Sequence, residues 1–345
     1  MLEIDGSYGE CGGSIVRTAV GLSVFTGKPL YIYNVRKNRP QPGLKVQHLQ
    51  GVKAAAELCG GKIIGAELGS TEIKFFPEKN FSDKVKVEIE TAGSIGLVLQ
   101  VLQIAALKAE KKVKVEIRGG ATYGKWAPPI DFVQNVFYKI LEKIGYKIDL
   151  EVERHGFYPK GRARVNAIFY PANELKGLNL IEQGKLENVS GLSIASKHLE
   201  QKKVAERQKI SARGEIFNKL QVSPNIKTEY LEAENIGSAI TLWLTTQSGA
   251  ILGASKIGEQ TLRAEIVGKE ASQSLIEDFK SDATIDRHSL DQIIPFLALS
   301  RSASTLKFSK LTSHAHTNIW VCEQFFGKIL HTHENILTKN QYAAI

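Results

Sequence analysis

Cysteine is scarce: the chain has three, Cys11, Cys59 and Cys322. Their spacing matches no zinc-ligand pattern, which excludes the usual structural zinc sites. An odd, sparse set of thiols fits a reducing compartment. Long apolar runs are also missing. The most apolar stretch, IGLVLQVLQIAAL from Ile95 to Leu107, covers 13 residues and is interrupted by glutamines. It is too short to span a bilayer. The opening MLEIDGSYGE carries charge where a signal peptide needs an apolar core. The expectation is a cytoplasmic protein with no membrane partner. No Gly-Lys-Ser/Thr follows the glycine-rich stretch near the start, so a Walker phosphate loop is excluded. There is no long basic tail.

What is present describes an ordinary folded protein. The chain has 345 residues, 43% of them apolar. That length allows one large core and at least one smaller body. Lys and Arg total 45 against 36 Asp and Glu, a formal charge of +9. Such an excess steers phosphate-bearing partners, although many basic proteins bind nothing anionic. Glycine is abundant, with 30 residues, many of them at turns.

Periodicity divides the chain into alternating elements. LEID reads as a strand, GSYGECGGS as a turn and IVRTAVGLSVFTG as a helix. PLYIYNV is a strand, VQHLQGVKAAAELCG a helix ending on a glycine cap, and KIIGAELGSTEIKFFP two strands. The pattern returns in VKVEIE, SIGLVLQVLQIAALKAE, VKVEIRGG, PPIDFVQNVFYKILEKIG and the pair KIDLEVERHGFYP and RARVNAIFYP. Helix, glycine, strand, turn, strand and proline occur twice in register, which suggests an internal repeat. The texture changes between residues 185 and 267. There SIASKHLEQKKVAERQKISARG reads as a charged surface helix, followed by alternating strands. This segment is expected to be a small inserted domain, with 1–184 and 268–345 forming the large one. HSLDQIIPFLALS and TNIWVCEQFFG are helices flanking the strand TLKFSK, roughly a third copy of the unit. The tail after Gly327 gives no clear pattern.

Several local groups carry chemistry. A glycine-rich turn entering a helix presents free N–H groups to an anion, or is plain turn chemistry. Arg36, Lys37, Arg39 and Lys45 lie in a loop with two prolines and a glycine, where they suit phosphate or form a solvated surface. Glu10, Asp131 and Asp291 stand beside turns or helix starts. Each suits a magnesium ion or a helix cap. Tyr31, Tyr33, Phe75 and Phe76 alternate along strands and read as packing. In SHAHTNIW, His314 is placed in a short loop between a strand and a helix. A neutral imidazole there is a competent nucleophile. The alternative is a surface histidine beside a capping Ser313 or Thr317.

The stretches DGSYGECGG, RPQPGLKVQHLQGVKAAAELCG, TAGSIGLVLQ, GGATYGKWAPPIDF, RHGFYPKG, LDQIIPFLALS and HAHTNI occur in this order and spacing. Together the chain resembles the RNA 3'-terminal phosphate cyclases over nearly its whole length. The resemblance implies an α/β fold: a large domain of three repeated α/β units with a smaller inserted α/β domain. It implies conversion of an RNA 3'-terminal phosphate to a 2',3'-cyclic phosphate, with ATP going to AMP and pyrophosphate. The family's nucleophile stands in a His-x-x-Thr-Asn pattern, which His314 fits and His316 does not. By the same resemblance, Gln100, Pro128, Phe132 and the run His288, Ser289, Leu290, Asp291 and Gln292 form the nucleotide pocket. Arg17, Arg36, Arg39 and Asn318 are expected near phosphate or RNA. Glu10 is expected near Mg2+ or another divalent cation. The implied partners are RNA with a 3'-terminal phosphate and ATP; oligomeric state is left open.

The chain departs from the family pattern at identifiable places. His288 stands where a tyrosine often stacks on adenine. Cys11 replaces a glycine and Ser14 a glutamine, and the added Cβ at Cys11 is expected to widen its loop. HGFYPKGRARV lacks the usual glycine run. Two other functions fit a similar chain: a non-catalytic relative in ribosomal RNA processing, and a general nucleotidyl transferase at nucleic-acid ends. The relatives of the first kind lack the histidine that His314 supplies. Product analysis separates the second.

Overall fold

The computed structural model describes residues 1–125, 127–172 and 174–341. The first unit contains β1 (Leu2–Asp5), α1 (Gly13–Thr26), β2 (Leu30–Tyr33), α2 (Val46–Cys59), β3 (Lys62–Ile64) and β4 (Ile73–Phe76). The second contains β5 (Lys84–Ser94), α3 (Ile95–Ala105), β6 (Val113–Ala121), α4 (Ile130–Phe132), α5 (Tyr138–Lys143), β7 (Ile148–Arg154) and β8 (Arg164–Phe169). A π-helical segment, Val133–Phe137, joins α4 to α5. Strand β9 (Asn179–Leu180) then opens a third unit.

That unit is interrupted by β10 (Leu186–Ser196), α6 (Val204–Leu220), β11 (Asn225–Leu231), β12 (Ser238–Thr246), β13 (Ile251–Ile257) and α7 (Ala264–Lys280). It resumes with α8 (Arg287–Leu299), β14 (Ser304–Lys307), α9 (Ser313–Phe326), β15 (Leu330–His333) and β16 (Ile336–Lys339).

Strand order shows how the units correspond. The sheets run β1-β2-β4-β3, β5-β6-β8-β7 and β9-β14-β16-β15. In each, the first two strands are parallel and the other pairings antiparallel. The same topology therefore occurs three times. The tail without a readable pattern is the hairpin that completes the third sheet. Its strands are short and largely exposed on β15, which explains the weak signal.

Two sequence expectations shift. The charged helix begins at Val204, because Ser193 to Ser196 belong to β10, where they pair with β11 and β12. The domain boundary expected after residue 267 falls inside α7. That helix contributes Val267, Ala271 and Leu275 to a core shared with Ile216, Leu242 and Leu252 of the inserted segment. Burying this apolar face holds α7 to α6 and the fourth sheet. A separate, larger cluster joins the three repeated units, including Leu22, Val98, Phe137, Leu297 and Val321. Among the described residues, no helix is long and apolar enough to cross a membrane.

Candidate functional site

Helix α9 carries SHAHTNIW from its first residue. His314 lies in the first helical turn rather than in a loop. Thr312 precedes the helix and its side chain accepts from the Ala315 N–H, so the cap is neither Ser313 nor Thr317. This fixes His314 on a rigid element while leaving its side chain 48% exposed.

The glycine-rich turn brings Glu10 to His314. Imidazole Nδ1 lies 2.9 Å from Glu10 Oε1. Ser14 Oγ donates to the same oxygen at 2.6 Å, and Arg39 donates to Oε2 at 3.1 Å. The Glu10 N–H is held by Thr317 Oγ1 at 3.3 Å, tying the turn to α9. Glycines make this approach possible. A Cβ on Gly9 would lie 2.4 Å from Thr317 Oγ1, and one on Gly12 would lie 2.2 Å from Glu10 Oε1.

Cys11 adopts φ 52°, the left-handed region in which a Cβ is unfavourable. Its thiol donates to the Ser7 carbonyl and accepts from Asn38 Nδ2, while Arg39 Nε reaches its carbonyl oxygen. The departure at Cys11 thus links the turn to the basic loop. The departure at Ser14 supplies a hydroxyl to Glu10.

Electrostatics follow from these contacts. The Glu10 hydrogen bond raises the pKa of His314 above its ordinary value. Burial opposes this rise; the charges of Glu10 and Asp291 reinforce it, and Arg17 opposes it. Burial alone would raise Glu10, but hydrogen bonds from His314 and Ser14 and the charges of His314 and Arg17 bring it below the usual carboxylate range. Asp291 is pushed up to about 7, first by burial and then by Asp286 and Glu10, against the pull of His314 and Arg17. Burial lowers Arg17 to about 10 despite Glu10 and Asp291. An arginine at that value remains charged at neutral pH.

A cavity of about 470 Å³ opens beside this network. His314, Asn318, Arg17, Gln100, Pro128, Phe132, His288, Asp291 and Gln292 all line it. Gln100 connects two walls: its Oε1 accepts from Arg17 Nε at 2.8 Å, and its Nε2 donates to Gln292 Oε1 at 3.2 Å. Asn318 Nδ2 donates to the Asp291 carbonyl at 2.7 Å, and its Oδ1 accepts from Thr18 at 3.0 Å. His288 meets Phe132 edge-on, with ring centroids 6.4 Å apart.

The run His288 to Gln292 does not act as one block. Helical spacing turns His288, Asp291, Gln292 and Pro295 to the cavity. Ser289 and Leu290 point into the protein and are fully buried. The two loop arginines also divide. Arg39 reaches Glu10, whereas Arg36 donates to the Gln41 and Gly43 carbonyls, each at 2.9 Å, and holds its own loop. Asp131 lies outside the cavity lining. It accepts from the Tyr123 hydroxyl at 2.9 Å, and burial raises it to about 7.

Sequence reasoning missed Ser255, Lys256 and Ile257, which line the cavity from β13 of the inserted segment. Their only sequence signal is strand alternation, which identifies a face but not its neighbour. Among the described residues, no three His, Cys, Asp or Glu side chains gather to hold a metal. A single ionised Glu10 nevertheless fits magnesium chemistry, since that ion commonly takes one or two carboxylates and fills its shell with phosphate oxygens and water.

The family model described as RNA 3'-terminal phosphate cyclase matches residues 8–331. The chain is 43% identical over 330 residues to the RNA 3'-terminal phosphate cyclase of Methanopyrus kandleri, covering 94% of this chain and 93% of that one. The protein of the same name from Thermococcus kodakarensis is 44% identical over 328 residues, covering 95% and 93%. That from Pyrococcus furiosus is 41% identical over 345 residues, covering 100% and 99%. With its threefold topology and a cavity lined by His314, Gln100 and Asp291, the chain belongs to the RNA 3'-terminal phosphate cyclase family.

Proposed function

We propose that this protein cyclises RNA 3'-terminal phosphates at the expense of ATP, with His314 as the nucleophile. The observation that carries this reading is the 2.9 Å contact between His314 Nδ1 and Glu10, on a histidine that lines the cavity. With Nδ1–H directed to the carboxylate, Nε2 is the nitrogen available for attack. It attacks the α-phosphorus of ATP; the Nε2–P bond forms, the bond to the β-phosphate bridging oxygen breaks, and pyrophosphate leaves. Positive charge grows on the ring as this happens, and Glu10 stabilises it.

An RNA 3'-phosphate oxygen then attacks the same phosphorus. The N–P bond breaks, His314 is restored, and AMP is joined to the RNA through an anhydride. The neighbouring 2'-hydroxyl attacks the RNA phosphorus and loses its proton, and AMP departs. Activation is needed because a phosphate oxygen is a poor leaving group and AMP a good one. The ribose holds the hydroxyl close, so ring closure benefits from high effective concentration.

The chain's side chains divide the remaining tasks. Arg17, buried and charged, faces the cavity with Gln100 fixing its guanidinium, which suits it to an α-phosphate oxygen. Pro128, Phe132 and His288 offer flat or apolar surface to the adenine. Arg39 is placed to exchange Glu10 for phosphate. A divalent ion, when bound, would be held by Glu10 and would offset charge on the phosphates.

The order of steps is tested with an RNA bearing a 3'-phosphate and a terminal 2'-O-methyl group. It should accept AMP and stop as the RNA–adenylate anhydride, detected by mass spectrometry. An RNA ending in a 3'-hydroxyl should not be adenylated there. Cyclic product without ATP consumption, or no trapped anhydride despite normal enzyme adenylation, contradicts this order.

A further inference from the structure

A second cavity, also about 470 Å³, lies across the junction of β5 and α3 from the first. The chemistry above does not use it. Its lining includes Lys45, Gln47, Thr91, Gly93 and Tyr158. Tyr158 is 49% exposed, unusual for a large ring in this molecule. Lys125 connects the two cavities: it lines the first, and its Nζ lies 5.6 Å from the centroid of the Tyr158 ring.

The walls of the second cavity are coupled to the first. Gln47, at the start of α2, accepts from the Ser94 N–H at 3.1 Å. Ser94 immediately precedes α3, the helix that carries Gln100. The opposite wall is the far end of the basic loop. There the turn at Gly43 packs so tightly on Gly69 that a Cβ would sit 2.0 Å from the Gly69 carbonyl oxygen. A strand leaving the first cavity past Lys125 therefore meets an open aromatic ring, and then Lys45 at the end of the basic loop. An exposed ring beside cationic side chains is the pairing that holds single-stranded nucleic acid.

We propose that this second cavity binds the nucleotides that precede the 3'-terminal one in the RNA substrate. One base stacks on Tyr158, and the backbone phosphates run between Lys125 and Lys45. This rests on the cyclase reading and adds a site that makes recognition depend on RNA length. The terminal phosphate alone engages the first cavity; a longer RNA engages both.

Steady-state cyclisation tests the proposal on 3'-phosphorylated RNAs, from the shortest one cyclised to about eight nucleotides, a span comparable to one single-strand binding module. Labelling of the enzyme by α-labelled ATP is followed in parallel. For the wild type, KM should fall as the RNA lengthens. Tyr158→Ala should remove that gain and raise KM for the longest RNA about tenfold, the effect of losing one base–aromatic stack. Labelling and KM for the shortest RNA should stay unchanged. Tyr158→Phe should retain the gain. Thr91→Glu, at an exposed position of the cavity, should remove it by repelling phosphate. Unchanged KM for the longest RNA in both Tyr158→Ala and Thr91→Glu overturns the proposal, as does an equal rise on the shortest. A wild type that cyclises RNA with no length dependence overturns it alone. A wild type that cyclises no RNA overturns the functional reading as well.

Discussion

The two ends of the first cavity are built by different means. At the His314 end, positions are fixed by directed bonds: Glu10 accepts from His314, Ser14 and Arg39, while Gln100 accepts from Arg17. At the other end, Leu97, Pro128, Phe132 and Pro295 present surface, with His288, Ser255 and Lys256 as polar neighbours. The first arrangement suits a reaction in which charge moves between defined atoms, because each donor has one place to be. The second suits recognition of a flat ring, which rewards area and tolerates small shifts. Substitutions at the bonded end should therefore change rates steeply, and those at the surface end should change affinity gently.

The largest expected effect is at His314. His314→Ala should reduce cyclisation by more than the roughly 10²- to 10⁴-fold typical of a positioned acid–base group, because the attacking atom itself is lost. Circular dichroism and thermal unfolding should be nearly unchanged, as the side chain is half-exposed. His316→Ala should keep most activity, since His316 packs beside Tyr8 and does not line the cavity.

Glu10→Gln comes next. It should lower the rate of enzyme adenylation about 10²-fold, by removing the charge that stabilises the imidazolium. Its pH profile gives a sharper check. Attack requires neutral imidazole, and Glu10 raises the pKa of His314. The wild-type rate should therefore climb with pH through a value above the ordinary histidine range near 6.5. In Glu10→Gln the climb should move to lower pH. A profile left in place would detach Glu10 from the nucleophile.

Gln100→Ala should have an intermediate effect. It leaves the buried Arg17 guanidinium without its side-chain acceptor, at a cost of about 1.5–3 kcal/mol for a hydrogen bond to a charged group. Both thermal stability and adenylation should fall. His288→Tyr should have the smallest effect, a several-fold tighter KM for ATP from a larger stacking face, with kcat little changed. A large kcat change there would blur the distinction between the two ends.

The sequence made the repeated units visible because buried strands and amphipathic helices impose periods on the chain. LEID, VKVEIE and the helices after them could be placed on that basis. It also made the bonded end visible, because Glu10, Arg17 and His314 are chemically distinctive and sit in motifs shared with a family. Three features could not be read. The capping role of Thr312 depends on where the helix starts. The bond from Arg36 to its own loop depends on a folded turn. The approach of Lys256 to the cavity depends on how the inserted segment lies against α4 and α8, a contact between distant parts of the chain. The same limit applies to α7, whose partner core is built from residues of α6, β12 and β13 distant in the chain.

The central claim is that His314 becomes covalently adenylated. Its most direct test is incubation of the full chain with α-labelled ATP and magnesium in the absence of RNA, followed by acid or base treatment and by peptide mass spectrometry. The expected result is one AMP per chain on the peptide containing SHAHTNIW, assigned to His314, lost in acid and kept in base as a phosphoramidate should be. Label on a lysine peptide, label that survives acid, or undiminished labelling of a folded His314→Ala protein would contradict the account.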